Sequence, residues 1–193
     1  MKRIIRILSL VLILSLAVPA AFAAPPEERT LYDLNGIVAV LLPHPFIVLT
    51  EEELQEIASL DVAEQEELDP EVLDSYRTAL SNGLLNAGCG VNGDQTVFLT
   101  SVENPGFTQR TLGLVRDSLD QTYFEVYASY GATDVSSDII KRGGNSWYVL
   151  KYSLMGTDGT IAVTWINGYQ IVLSCANIDE TAFRYMLDQI KVL

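Results

Sequence analysis

One histidine, His44, serves the whole of this 193-residue chain. The His-rich ligand sets that catalytic zinc favours are therefore out of reach, and neither HExxH nor CxxC spacing occurs. A Ser-His-Asp triad would have to use His44, and no Gly-x-Ser-x-Gly elbow is present. There is no P-loop to cradle a nucleotide phosphate. Cysteine is scarce too, with only Cys89 and Cys175. Basic residues are few, 12 Lys and Arg against 25 Asp and Glu, for a net charge of −13. Such acidity argues against nucleic acid and anionic lipid surfaces as partners, since both repel a negative protein. No cofactor is implied.

The first 23 residues carry most of the remaining information about location. Lys2, Arg3 and Arg6 give a positive start, and Ile7–Val18 is an almost wholly apolar run. Pro19 breaks that run, and Ala21-Phe22-Ala23 supplies a small–x–small cleavage pattern. Together these read as a secretory signal peptide, Met1–Ala23. The apolar run is shorter than the roughly 20 residues that a spanning helix needs. No cysteine follows it to accept a lipid, so the mature form, from Ala24, is expected to be released to the exterior or the cell envelope. Loss of three basic residues and no acid takes the charge from −13 to −16. The rest divides into a short polar linker, residues 24–35, and one domain, residues 36–193.

Periodicity assigns the elements of that domain. Ile37–Leu42 and Phe46–Leu49 read as strand segments parted by Pro43-His44-Pro45. Thr50 and Glu53 form a capping-box spacing for a helix over Glu51–Leu60, and Asp69-Pro70 starts a second that Gly83 closes. Leu84–Asp94, rich in glycine and asparagine, reads as a loop. Thr96–Val102 is a β-branched strand, and Asn104-Pro105-Gly106 turns the chain. Ser118 with Gln121 forms a further capping box, and Leu119, Tyr123, Val126, Tyr127 and Tyr130 stripe a helix that Gly131 caps. Gly143-Gly144, Asp158-Gly159 and Asn167-Gly168 then separate Val135–Lys141, Trp147–Leu154, Thr160–Ile166 and Tyr169–Cys175, an antiparallel four-strand meander. Its strands alternate poorly, so a sheet covered on both faces is expected. Asp179 caps a closing helix from Glu180, along which Phe183, Met186, Leu187 and Ile190 keep helical spacing, with Ile178 placed to staple onto Phe183.

This order of elements resembles the PsbP-like α/β/α sandwich family, which includes a lumenal photosystem II subunit and many small exported bacterial proteins. The resemblance is carried by Ile37–Thr50 and by Gly144–Leu193. The latter contains Trp147-Tyr148-Val149-Leu150-Lys151-Tyr152, the Asn167-Gly168 hairpin and the closing helix. It implies an α/β (α+β) fold, a three-layer sandwich around an antiparallel sheet, and a binding or assembly role without catalysis. It carries over no functional residue, and the acid-rich insert at Glu51–Asp74 departs from it.

Several constellations stand beside that reading. The acids from Glu51 to Asp74, with Glu64, Glu66 and Glu67 at their centre, read first as a solvated face. The same run would suit a calcium ion or a basic partner, but it lacks the alternating Asp-x-Asp-x-Asp-Gly pattern. Cys89 and Cys175 are an even pair in an exported chain, which fits either a disulfide or two independent thiols. The enzymatic alternative is a small envelope hydrolase in which Cys89, or a serine such as Ser101, meets His44. Trp165 and Tyr148 are the aromatics to inspect for an exposed stacking platform. The expectation is a secreted, non-enzymatic binding or accessory module for a protein or small-molecule ligand.

Overall fold

The computed structural model describes residues 31–34, 36–42, 47–49, 85–92 and 95–193. The signal segment, both helices expected between Glu51 and Gly83, the acidic run and His44 lie outside them.

Ten strands and two helices follow in chain order among the described residues: β1 (Leu31–Leu34), β2 (Val38–Leu41), β3 (Ile47–Leu49), β4 (Leu85–Asn92), β5 (Gln95–Glu103), α1 (Leu112–Ser129), β6 (Thr133–Arg142), β7 (Asn145–Leu154), β8 (Thr157–Ile166), β9 (Tyr169–Ala176), α2 (Glu180–Gln189) and β10 (Lys191–Val192). Seven strands form one antiparallel sheet in the order β3-β4-β5-β9-β8-β7-β6. A smaller sheet has the order β1-β2-β10. Strands β5, β7, β8 and β9 of the large sheet are buried on both faces, which is why most of the meander alternates so poorly in sequence. One face packs Trp147, Val149, Leu173 and Cys175 against Phe183, Met186 and Leu187 of α2 and Val38 and Val40 of β2. The other packs Tyr148, Leu150, Tyr152 and Val163 against Leu112, Tyr123 and Tyr127 of α1. Helix, sheet, then helix with a small sheet are the three layers expected, in a mixed α+β fold.

Local chemistry explains the boundaries. The Asp179 carboxylate accepts a hydrogen bond from the Ala182 N–H at 2.9 Å, the cap expected for α2. Ile178 packs against the cluster that holds Phe183. Helix α1 begins earlier than Ser118. A 3-10 turn over Gln109–Thr111 leads into it, and the Thr111 hydroxyl there accepts from the Thr108 N–H at 3.1 Å and donates to the Thr108 carbonyl at 2.7 Å. Ser118 and Gln121 sit inside a helix already running. At its other end Gly131, with φ of +78°, ends α1 as expected.

Three more expectations need correcting. The linker ends sooner than residue 35, because Leu31–Leu34 pairs with β2 from Leu31↔Leu41 to Leu34↔Val38. The glycine-rich stretch after Gly83 is largely strand: β4 pairs with β5 over eight residues, Leu85↔Val102 to Asn92↔Gln95. Its neighbours supply the ladder that its own weak strand propensity does not. Asp158-Gly159 is not a turn. The chain reverses at Met155-Gly156, whose φ values are +52° and +82°, and Gly159 lies within β8.

The disulfide is also excluded. Cys89 is opposite Phe98, and Cys175 is opposite Val97 on the other side of β5. Two strand spacings, each about 4.8 Å, separate the cysteine backbones, beyond the roughly 7 Å that a bridge tolerates between Cα atoms. Cys175 is a free, buried thiol, and burial pushes its pKa far above the ordinary value. A thiol reagent should therefore leave Cys175 unmodified in the folded protein at mildly alkaline pH. The denatured, unreduced chain should titrate with both thiols; protection of both in the denatured state would overturn the assignment.

Candidate functional site

The free edge of the large sheet and the first turns of α2 enclose an open cleft of about 210 Å³, lined by Ser136, Ser137, Asp138 and Ile140 of β6, Val149 and Lys151 of β7, and Glu180 and Arg184 of α2. The pairings Ser136↔Lys151 and Asp138↔Val149 put those four residues on one face. On α2, Glu180 and Arg184 stand one turn apart, so both look toward the sheet.

Three charges organise the cleft. The Glu180 carboxylate takes Lys151 Nζ on one oxygen and Arg184 Nε, at 2.5 Å, on the other. All three side chains remain between 41% and 48% exposed, so the triad is wet. Partial burial pushes the Glu180 pKa up, but hydrogen bonds from Lys151 and Arg184, and then their charges, outweigh it and hold the carboxyl below its usual range. Glu180 is a fixed anion at neutral pH. A group with a depressed folded pKa adds stability above its unfolded pKa and loses that contribution as pH falls through the folded value. Glu180→Gln should thus cost a small amount of stability near neutrality, small because an exposed ion pair contributes little, and converge with the parent chain in acid, which flattens the acid limb of the stability–pH curve. Urea denaturation at neutral and acid pH reads the difference; parallel curves would refute the assignment.

Behind the edge, the other face is tied down by a second polar chain. Tyr148 Oη donates to Asp120 Oδ1 at 2.8 Å, Arg116 Nε lies 3.5 Å from Asp120 Oδ2, and Arg116 Nη2 donates to the Ser137 carbonyl at 3.3 Å. Helix α1 thereby holds the middle of β6 in place.

The residues singled out from sequence fall elsewhere. Tyr148 is fully buried and Trp165 is 5% exposed beneath Phe107, whose ring stacks on it at 5.5 Å, so neither is an exposed platform. Ser101 is fully buried in β5, where no substrate reaches it. Cys89 is on β4, and His44, its partner in the hydrolase reading, lies outside the described residues. Gly88-Cys89-Gly90-Val91-Asn92-Gly93 does spell G-x-G-x-x-G, a spacing easily passed over. A dinucleotide cradle needs that motif at a strand-to-helix turn, and here most of it runs along an antiparallel strand. Among the described residues, no group of three His, Cys, Asp or Glu side chains is placed to hold a metal, and no helix is long and apolar enough to cross a membrane.

The triad itself went unseen in the sequence, although it left two signals. Glu180 and Arg184 have the i, i+4 spacing of a helical ion pair. Lys151 is a single charge inside the otherwise uncharged Trp147–Leu154 run.

No protein-family model and no curated protein matches the chain. It is similar to the solution structure of cyanobacterial PsbP (CyanoP) from Synechocystis sp. PCC 6803, at 13% identity and a TM-score of 0.46, over 90% of this chain and 98% of that one.

Proposed function

We propose that the chain is exported by its first 23 residues and acts outside the cytoplasm as a non-enzymatic binding or accessory module, meeting its partner at the cleft between β6, β7 and α2. The observation that carries this reading is the state of Glu180. A general acid or base works best with a pKa near the working pH. Lys151 and Arg184 hold Glu180 away from that range, and the triad presents three fixed charges, about half exposed, around an open recess floored by Ile140 and Val149. Fixed charges of both signs select a complementary partner and set its orientation. They do not move protons. The partner is a protein segment or small molecule that itself carries both signs of charge. Nucleic acid and anionic membrane are not expected to bind, given the excess of acid.

Chemical cross-linking in the envelope or secreted fraction of the native host tests this. The processed chain should yield a discrete adduct that disappears in Lys151→Ala/Arg184→Ala and survives Leu114→Ser, a change at a fully solvated position of α1. An adduct pattern indifferent to the cleft pair would exclude the cleft. Mass spectrometry of the exported material should find an N-terminus at or near Ala24; intact Met1 in a membrane-bound product would exclude processing.

A further inference from the structure

Among the described residues, strand β6 pairs on one side only, with β7, and is the outermost strand of the seven-stranded sheet. Gly143 and Gly144, with φ of +56° and +77°, form a two-residue turn between Arg142 and Asn145. In such a hairpin the flanking pair is hydrogen-bonded, and alternate pairs beyond it are too. Arg142, Ile140 and Asp138 therefore spend their backbone groups on β7, while Lys141, Ile139 and Ser137 direct theirs outward. Two hydrogen bonds agree with this parity. Arg116 reaches the Ser137 carbonyl, and the Ile139 N–H is taken at 2.7 Å by the carboxylate of its neighbour Asp138. Side chains split the other way: Asp138 and Ile140 line the α2 face, and Ile139 packs on the α1 face.

From this we infer that the β6 edge is a self-complementary docking surface whose occupant is a second copy of this chain, joined antiparallel about a two-fold axis through Ile140. The sequence Asp138-Ile139-Ile140-Lys141-Arg142 fixes the register by charge. Centred on Ile140, the two copies set Asp138 opposite Arg142 of the second copy twice over, and Ile140 opposite Ile140. The outward groups of Ile139 and Lys141 then exchange hydrogen bonds across the axis. Shifting the centre to Asp138 or Lys141 places like charges face to face, and centring on Ile139 leaves Asp138 opposite an isoleucine. Opposite charges across paired strands attract and like charges repel, so one register stands out.

The device also sets its own limits. A bulge between Thr133 and Ser136, with Asp134 at φ of +54°, and the Arg116 contact at Ser137 end the pairing tract on one side; the Gly143-Gly144 turn ends it on the other. In a lone chain Asp138 occupies the Ile139 N–H, and Arg142 Nη1 lies 3.5 Å from an exposed Asp188. Both contacts must exchange for the pair to form. The dimer is closed, isologous and concentration-dependent, and it gives a continuous sheet through both copies.

Sedimentation velocity on the processed chain over a concentration series should show a monomer–dimer equilibrium. Asp138→Arg and Arg142→Asp should each weaken it about tenfold or more, because each replaces two attractive pairs by two repulsive ones. The double reversal Asp138→Arg/Arg142→Asp should restore it. Lys141→Pro removes an outward N–H that β7 does not use, and should abolish the dimer with the thermal transition retained. A chain monomeric throughout, or a dimer indifferent to both single reversals, would overturn the assignment. The proposal goes beyond the cleft reading, and since sedimentation needs no partner, failure of either leaves the other standing.

Discussion

Gly159→Ala should cost about 3 kcal/mol of folding stability, the upper part of the range for forced overpacking. Gly159 is the direct cross-strand partner of Tyr152, and the tyrosine ring occupies the space that a Cβ at 159 would take. A Cβ at position 159 would stand 2.0 Å from Tyr152 Cζ and 2.3 Å from its Oη, distances that no side-chain adjustment at 159 relieves. The ring cannot step aside easily. Its centroid is 4.2 Å from that of Tyr127 on α1, and Tyr152 is 3% exposed. The clash is specific to the pair, so the two sites should be strongly non-additive. In a Tyr152→Leu background the same Gly159→Ala change should cost less than about 1 kcal/mol, because the shorter side chain vacates the space over β8. Urea unfolding of the four variants in the cycle measures the coupling. Equal costs in both backgrounds would show that the glycine answers to some other constraint.

Trp147→Ala should be at least as damaging, about 3–5 kcal/mol by the usual cost of emptying a buried aromatic site. Trp147 is the largest fully buried side chain described, at 0% exposure, on the sheet face that receives α2. Its indole N–H donates to the Arg142 carbonyl at 3.2 Å, so it also fastens the turn end of the β6–β7 hairpin. Truncation opens a cavity between sheet and helix and frees that carbonyl. The same hairpin is anchored from outside, where the Gly143 N–H donates to Asp188 Oδ1 at 2.9 Å. A Cβ at Gly143 would come within 2.7 Å of the Leu187 carbonyl. Thermal melting should show a single, strongly lowered transition for Trp147→Ala; a loss below about 1 kcal/mol would mean the site collapses onto itself.

The sequence was legible where side chains decide structure by themselves. Asp179, Ile178 and the Phe183–Ile190 stripe name α2 and its cap. The uncovered alternation of Trp147–Leu150 announces a sheet buried on both sides. Legibility fails where a residue's role is set by a neighbour distant in sequence. Gly159 looks like half of an Asp-Gly turn until Tyr152 is seen to need the space. Leu85–Asn92 looks like a loop until β5 is laid beside it, and Leu31–Leu34 looks like linker until β2 supplies its ladder. The candidate site is of this second kind. Lys151 and Glu180 are 29 positions apart, and only the packing of α2 on β7 brings them together. Cys89 and Cys175 erred in the opposite direction: a pairing rule suggested contact, and the intervening β5 denies it.

Strand β5 sits between β4, its neighbour in sequence, and β9, which follows some seventy residues later: Val97 faces Cys175, and Ser101 faces Ile171. The small sheet closes in the same way, with Lys191 opposite Ala39 and the Leu193 N–H donating to the Ile37 carbonyl at 2.9 Å. Half of the ladder of β5, and one side of β2, must wait for the last residues of the chain. Pairings this remote in sequence are slow to form, since loop-closure entropy is lost before contacts reward it. A polypeptide emerging from the ribosome consequently stays without its central sheet until synthesis is almost complete. The order of its strands thus acts as a timer, and the central sheet closes last.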